Sequence, residues 1–190
     1  MNKPIDISNV ILKTDRLILR PWEFTDLEHF YAYASVDGVG QMAGWMPHKD
    51  REESRSILTC FIEGRKTFAL EHQGKVIGSL GVEEYQEELY PELAPLQGRS
   101  IGYVLSKDYW GQGLMPEAVK AVTAWLFDTQ KLDFILVSHF DWNRKSRRVI
   151  EKSGFCYIKT KEQETQCNTT ETTLEYILYH PERKICYADT

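Results

Sequence analysis

The chain has 190 residues, 42% hydrophobic and 27% charged, which suits one domain around one substantial core. Five Trp, ten Tyr and eight Phe exclude a disordered chain, because disorder is poor in aromatics. The net charge of −5 argues against a nucleic-acid binder, which needs a basic face, and favours cationic partners such as amines.

Met1 to Ser8 lacks the apolar run of a signal peptide, and no stretch approaches 18 apolar residues, so no membrane span is expected. Cys60, Cys156, Cys167 and Cys186 form no C-x-x-C pair, and no His spacing completes a zinc signature. Reduced, partly buried thiols, no metal and a cytoplasmic protein are the expectation.

In chain order, the Ile/Leu/Val-rich stretch Val10 to Arg20 reads as a strand ending at Pro21. Thr25-Asp26-Leu27-Glu28 reads as a capping box opening a helix to about Ala34. Asp50 to Glu53 repeats that logic for a helix whose apolar face is Ile57, Leu58, Phe61 and Ile62 and which stops at Gly64. Thr67 to His72 and Val76 to Glu84 flank Gln73-Gly74 as a hairpin. Ser100 to Leu105 is a strand, 117–127 a buried helix and Phe134 to Phe140 a strand. Lys145 to Ser153 is a short helix stopped by Gly154, and Phe155 to Thr160 and Thr172 to Tyr179 are closing strands.

The order β-α-α-β-β-β-α-β-α-β-β predicts an α+β fold: a mixed, mostly antiparallel sheet with helices on both faces. Its one parallel pair comes from the crossover 100–105, 117–127, 134–140. No linker or repeat divides the chain, so a single domain over 10–180 is expected, with 1–9 and 181–190 as terminal extensions.

The most informative segment runs from Ile101 through Tyr109-Trp110-Gly111-Gln112-Gly113 to Ala118. A strand enters a glycine-bearing turn that opens a helix, whose first amides lack internal partners and sit at the positive end of the helix dipole. That is a site for a phosphate group. Gly111 and Gly113 allow close approach to the backbone, and Pro116 in the first turn costs no donor that would otherwise be bonded. No Gly-Lys-Ser/Thr follows and the third Gly of a dinucleotide fingerprint is absent, so neither of those nucleotide motifs is present.

This segment resembles the acyl-CoA-binding motif of the GCN5-related N-acetyltransferases (GNAT), most closely the branch of the ribosomal-protein N-terminal acetyltransferases. Three further stretches are similar in order and spacing: Thr14 to Pro21, Asn143 to Phe155, and Leu174 to Leu178. The likeness spans roughly residues 12 to 180. It implies a GNAT-like fold with splayed central strands and acetyl-CoA as cosubstrate. Backbone around Gly111, Gln112, Gly113, Leu114 and Met115 would hold the diphosphate, and Tyr103, Val104 and Leu105 would pair with the pantetheine. Asn143 would bond the same arm, besides the N-cap role its type suits. Trp110 and Met115 stand where the family more often has Gln or Arg and a small residue.

The implied reaction is direct attack of a primary amine on acetyl-CoA in a ternary complex. It calls for a base, an oxyanion donor and a proton for the leaving thiolate. The amide of Val104 or a neighbour suits the oxyanion. Relatives often carry Glu at the position of Ser100, which here can only orient water; Glu83 and Glu84 are alternatives. Many relatives carry a Tyr acid at the position of Ile150, so that donor is missing here; Ser146 matches a serine that the resembling branch carries close to the CoA sulfur, and the resemblance implies it as the thiolate's partner.

The acceptor is left open between a protein N-terminal α-amine and a small molecule such as a polyamine or antibiotic. A non-catalytic CoA-binding module is a further alternative. The connection 83–98, with Glu83, Glu84, Glu87, Glu88, Glu92, Tyr85 and Tyr90, is either a solvated acidic loop or a lure for a cationic amine. The stretch 37–48, with Trp45 and Met46, is expected to form the other wall of the acceptor site. No residue specifies oligomeric state, monomer or homodimer.

Overall fold

A computed structural model describes residues 1–182; Cys186 and most of the expected extension 181–190 lie outside the described residues. Eight strands form one sheet in the order β1-β2-β3-β4-β5-β6-β8-β7. They are β1 Leu12–Lys13, β2 Ile18–Pro21, β3 Thr67–His72, β4 Lys75–Glu83, β5 Gly98–Leu105, β6 Phe134–Phe140, β7 Cys156–Glu164 and β8 Thr170–Tyr179. The helices are α1 Leu27–Ala34, α2 Arg51–Gly64, α3 Leu114–Asp128 and α4 Arg144–Lys152. The α+β class and the mixed sheet expected from the sequence are present, with β5–β6 the parallel pair of the sheet.

The first predicted strand is two. Thr14 breaks the apolar run: its backbone N–H donates to the Leu17 carbonyl at 3.0 Å, and its hydroxyl accepts from the Leu17 N–H at 2.9 Å. The turn folds β1 back on β2, pairing Leu12 with Leu19. The first helical cap is also displaced. The Asp26 carboxylate accepts from the Glu23 N–H at 2.9 Å and receives both guanidinium nitrogens of Arg20 at 2.8 Å. A buried carboxylate already tied to a half-buried arginine takes the role expected of Thr25 and Glu28. The second helix starts as expected, the Asp50 side chain accepting from the Glu53 N–H at 2.9 Å.

Apolar faces on both sides of the sheet are covered. Ala118, Val122 and Leu126 of α3 and Ile150 of α4 pack on Ile101, Ile135 and Val137. Phe30 of α1 and Leu58 of α2 pack with Trp22, Ala69 and Val76 on the opposite face. The amino-terminal segment 1–9 belongs to this packing: Ile7 is 1% exposed within the α3-side core, and Asn2 bridges to Gly98. The cysteine expectation holds only in part, since Cys60 and Cys156 are free but exposed. Among the described residues, no helix is long and apolar enough to cross a membrane.

One feature of the sheet makes the site. The β5–β6 ladder runs from Gly98↔Phe134 to Ile101↔Val137 and stops there. Beyond it β5 stays paired to β4 as far as Gly78↔Leu105, and β6 to β8 as far as Phe140↔Thr173. Each strand follows its outer neighbour, and the two central strands part. Gly78 sets how closely β4 approaches this half of β5: a Cβ there would lie 2.4 Å from the Val104 carbonyl oxygen. Gly78→Ala is expected to cost about 1–3 kcal/mol through overpacking, lowering Tm by roughly 2–10 °C in a thermal melt.

Candidate active site

The gap between the parted strands opens into a cavity of about 430 Å³. Its walls include Gly102 to Leu105 of β5, Ser138 to Phe140 of β6, the turn Tyr109 to Gly111, Gly113 to Pro116, and Asn143, Ser146 and Val149 of the α4 segment. It reaches both faces of the sheet, because Val39, Met42 and Ala43 line it as well.

At one end lies the glycine turn. A short 3-10 turn, Lys107–Tyr109, follows β5; Gly111 and Gly113 then take left-handed φ angles of 78° and 79°, and α3 begins at Leu114. The Trp110 N–H is bonded to the Lys107 carbonyl at 3.1 Å, and its indole N–H to the Leu105 carbonyl at 2.7 Å. Among the described residues, the five amides from Gly111 to Met115 meet no protein acceptor. Gly113 occupies the N-cap position, where it brings no side chain to satisfy them. A Cβ on Gly111 would have nothing within 4 Å. Donors, dipole and open approach together suit an anion.

The β1–β2 turn braces this site. Arg16 Nη1 donates to the Gln112 carbonyl at 2.9 Å and Nε to Glu117 Oε2 at 2.8 Å. The Arg16 N–H and the Thr14 hydroxyl both reach Glu117 Oε1, at 3.0 and 2.5 Å. Burial would raise the Glu117 carboxyl, but the Thr14 and Arg16 contacts outweigh it and hold the group below its usual value. Glu117 therefore stands ionised and neutralised in the first turn of α3. Arg16→Ala would free the Gln112 carbonyl and leave that charge unpaired beside the amides. Acetyl-CoA binding by calorimetry is expected to weaken about tenfold, with part of the loss recovered in Arg16→Ala/Glu117→Gln.

The rim is basic although the chain is acidic. Lys145, Arg148 and Lys152 line the cavity, and the Lys145 ammonium stands 4.5 Å from the Trp110 ring centroid. A cation on an indole face is favourable and fixes the lysine near the glycine turn. The run Arg144 to Lys152 is the sequence signal for this rim, and in a chain of net charge −5 its local excess carries more meaning than the total.

Deeper in, Asn143 (5% exposed) caps α4, its Oδ1 accepting from the Ser146 N–H at 3.0 Å. Its Nδ2 donates to the Met42 carbonyl at 3.0 Å, which ties α4 to the 3-10 turn Gly40–Ala43 across the cavity. Ser146 Oγ lies 2.9 Å from Tyr103 Oη, a hydrogen bond between β5 and α4. Burial pushes the Tyr103 phenol well above its ordinary pKa, and the Ser146 bond offsets only part of this, so Tyr103 keeps its proton throughout the physiological range. His139, 5% exposed, also lines the wall, with Nδ1 2.7 Å from the Phe140 carbonyl and Nε2 3.1 Å from Tyr176 Oη. A carbonyl can only accept, so Nδ1 donates in the bond to Phe140.

The structure thus brings Tyr103, Val104, Leu105, Trp110, Gly111, Gly113, Leu114, Met115, Asn143 and Ser146 onto one cavity. Gln112 contributes its backbone, while its side chain turns back to the Asp108 carbonyl at 3.0 Å. Glu83 and Ser100 face each other across β4 and β5, on the paired side of the fork and off the cavity wall. Glu83 is bonded to Lys66 at 2.5 Å.

The acidic connection lies off the wall too. It folds into 3-10 turns Glu87–Leu89 and Pro91–Leu93, which bury Tyr85, Tyr90 and Leu93 against Phe134, Leu136 and Ile177. The Tyr90 hydroxyl donates to Glu175, and the Lys159 ammonium sits 3.7 Å from the Tyr90 ring. Glu84 pairs with Arg99 at 3.3 Å, and Glu87 accepts the Asn2 N–H at 2.6 Å. The aromatics of this loop serve a core, and three of its carboxylates, Glu83, Glu84 and Glu87, are already engaged. Of the stretch 37–48, Val39, Met42 and Ala43 reach the cavity, whereas Met46 is exposed and Trp45 packs on His48.

A forked mixed sheet with a row of unpartnered amides at the fork is the architecture the sequence resemblance leads one to expect. The acetyltransferase (GNAT) domain model matches residues 16–156, and the chain belongs to that family of N-acetyltransferases. The uncharacterized N-acetyltransferase YoaA of Bacillus subtilis (strain 168) is 31% identical over 152 residues, 76% of this chain and 82% of that protein. Among solved structures, a GNAT-family acetyltransferase from Bacillus anthracis superposes with a TM-score of 0.79 at 24% identity, covering 91% of this chain and 100% of that one. The ribosomal-protein-S5-alanine acetyltransferase from Vibrio fischeri gives 0.71 at 18%, covering 92% and 98%. The microcin C7 self-immunity acetyltransferase MccE, solved with acetyl-CoA and AMP, gives 0.72 at 14%, covering 87% and 93%.

Proposed function

We propose that this chain moves the acetyl group of acetyl-CoA onto the α-amine of a protein or peptide N-terminus, by direct attack in a ternary complex. The observation that carries the cofactor is the row of five unpartnered amides, Gly111 to Met115, at the start of α3 beside a lysine- and arginine-lined rim. From there the cavity leads inward between β5 and β6, a path for an extended pantetheine arm past Asn143 to Ser146. The unpaired edge of β5 from Gly102 to Leu105 offers amides for the arm and for the thioester oxygen. Ser146 would hydrogen-bond the departing sulfur, its hydroxyl set by Tyr103.

An α-amine acceptor is supported by the fold shared with the Vibrio fischeri S5-alanine enzyme and by the walls at the opposite end of the cavity. Val39, Met42, Ala43, Phe140, Gln163 and Thr173 suit a short uncharged segment better than a polycation. Thiol release from acetyl-CoA, measured against peptides beginning Ser or Ala, polyamines and aminoglycosides, tests both halves. Release is expected with the peptides at a kcat/KM at least about tenfold above any polyamine. Equal or greater release with a polyamine would remove the α-amine reading, and no release with any amine would remove the transferase reading.

A further inference from the structure

We propose that the acceptor must enter as the free amine, because no side chain of this site takes its proton before attack. The inference rests on the acetyl-transfer reading above and concerns where the proton goes. Among the described residues, the charged side chains on the cavity wall are Lys145, Arg148 and Lys152, all cations. They stand at the glycine-turn end, and the acceptor-end walls, Val39, Met42, Ala43, Phe140, Gln163 and Thr173, carry no ionisable group to take a proton. The remaining titratable groups on the wall are the phenols of Tyr103 and Tyr109 and the imidazole of His139. His139 has both ring nitrogens engaged, by Phe140 and by Tyr176. Tyr103 keeps its proton and is bonded to the Ser146 hydroxyl at 2.9 Å.

Among the nearby carboxylates, Glu171 stands opposite the wall residue Gln163 in the β7–β8 ladder and accepts from the Trp142 indole N–H at 2.7 Å and the Thr169 hydroxyl at 2.8 Å; four others are each held by a cation. Glu83 is on Lys66 (2.5 Å), Glu84 on Arg99 (3.3 Å) and Glu117 on Arg16 (2.6 Å). Glu175 stands opposite Ser138 in the β6–β8 ladder, buried, paired with Lys161 at 2.6 Å and accepting from Tyr90. Glu171 and Glu175, each in register with a wall residue, thus have both oxygens already occupied.

The chemistry balances without a protein base. The neutral nitrogen's lone pair forms the new C–N bond, the C–S bond breaks, and its electron pair leaves with sulfur. The nitrogen then sheds one proton to water, and sulfur gains one by way of Ser146 or solvent. Selection follows from solution acidity. An α-amine of pKa about 8 is roughly a tenth free at pH 7, whereas a lysine-type amine near 10.4 is free to only about four parts in ten thousand. The α-amine starts with an advantage on the order of 250-fold before any recognition.

The test is the pH profile of kcat/KM for two acceptors differing only in amine basicity: one peptide beginning with alanine, and the same peptide beginning with the more basic β-alanine. Each profile is expected to climb tenfold per pH unit and level off at that peptide's own amine pKa, so the two inflections separate. Glu83→Gln and Glu175→Gln are expected to leave both inflections in place, whatever they do to the amplitude. A single inflection shared by both peptides, or one erased by either substitution, would show an enzyme base and overturn the inference while leaving acetyl transfer intact. No acetylation of either peptide would overturn the transfer reading itself.

Discussion

Gly111→Val is expected to weaken acetyl-CoA binding about 100-fold or more while leaving the fold in place. Gly111 has φ 78°, a conformation that costs an L-residue about 1–2 kcal/mol and a β-branched one more. The backbone would relieve that strain by rotating, which re-aims the amides that follow. Charge-assisted hydrogen bonds contribute about 1.5–3 kcal/mol each, so misdirecting one or two accounts for the loss. The added side chain would also project where a Cβ meets nothing within 4 Å, at the mouth of the cavity. Gly74 supplies a matched control: φ 77°, nothing within 4 Å of a Cβ, and a place in the β3–β4 turn away from the cavity. Gly74→Val should lower Tm comparably yet leave the calorimetric Kd for acetyl-CoA within about twofold. Equal Kd values for the two variants would mean that the glycine turn does not hold the cofactor.

Ser146→Ala carries the second large effect, a fall in kcat on the order of 100-fold with KM for acetyl-CoA changed less than about threefold. A hydroxyl that meets sulfur only as the C–S bond breaks contributes to the transition state and not to ground-state binding. Tyr103→Phe should lower kcat less, because Ser146 keeps its hydroxyl but loses the 2.9 Å bond that orients it. The double variant should be no slower than Ser146→Ala alone, since the two hydroxyls act as one unit. Strictly multiplicative losses would separate them, and an unchanged kcat in Ser146→Ala would remove it from the chemistry.

Local sequence carried much of this arrangement. The glycine turn, the Asp50 cap, the hairpin at Gln73-Gly74 and strand 134–140 are each set by a few adjacent residues, and each stands where its residues place it. What escaped depends on distant partners. Whether Thr14 continues a strand or folds it back depends on its bond to Leu17 and on Glu117, a hundred residues on. Asp26 caps where Thr25 was expected because Arg20 arrives from β2 to hold its carboxylate. The acidic connection read either as a solvated loop or as a lure for a cationic amine, since nothing in its own composition shows that Phe134 and Ile177 await its tyrosines. At the site, the backbone features were readable. The side-chain pairings, Tyr103 with Ser146, His139 with Tyr176 and Lys145 over Trp110, come from strands and helices that only the sheet order brings together.

The most direct measurement is a crystal structure with acetyl-CoA bound, read at the start of α3. The diphosphate oxygens should lie within about 2.7–3.2 Å of the amide nitrogens between Gly111 and Met115, with the thioester between β5 and β6 beside Ser146. A diphosphate held by side chains elsewhere, with those amides turned to solvent, would contradict the account.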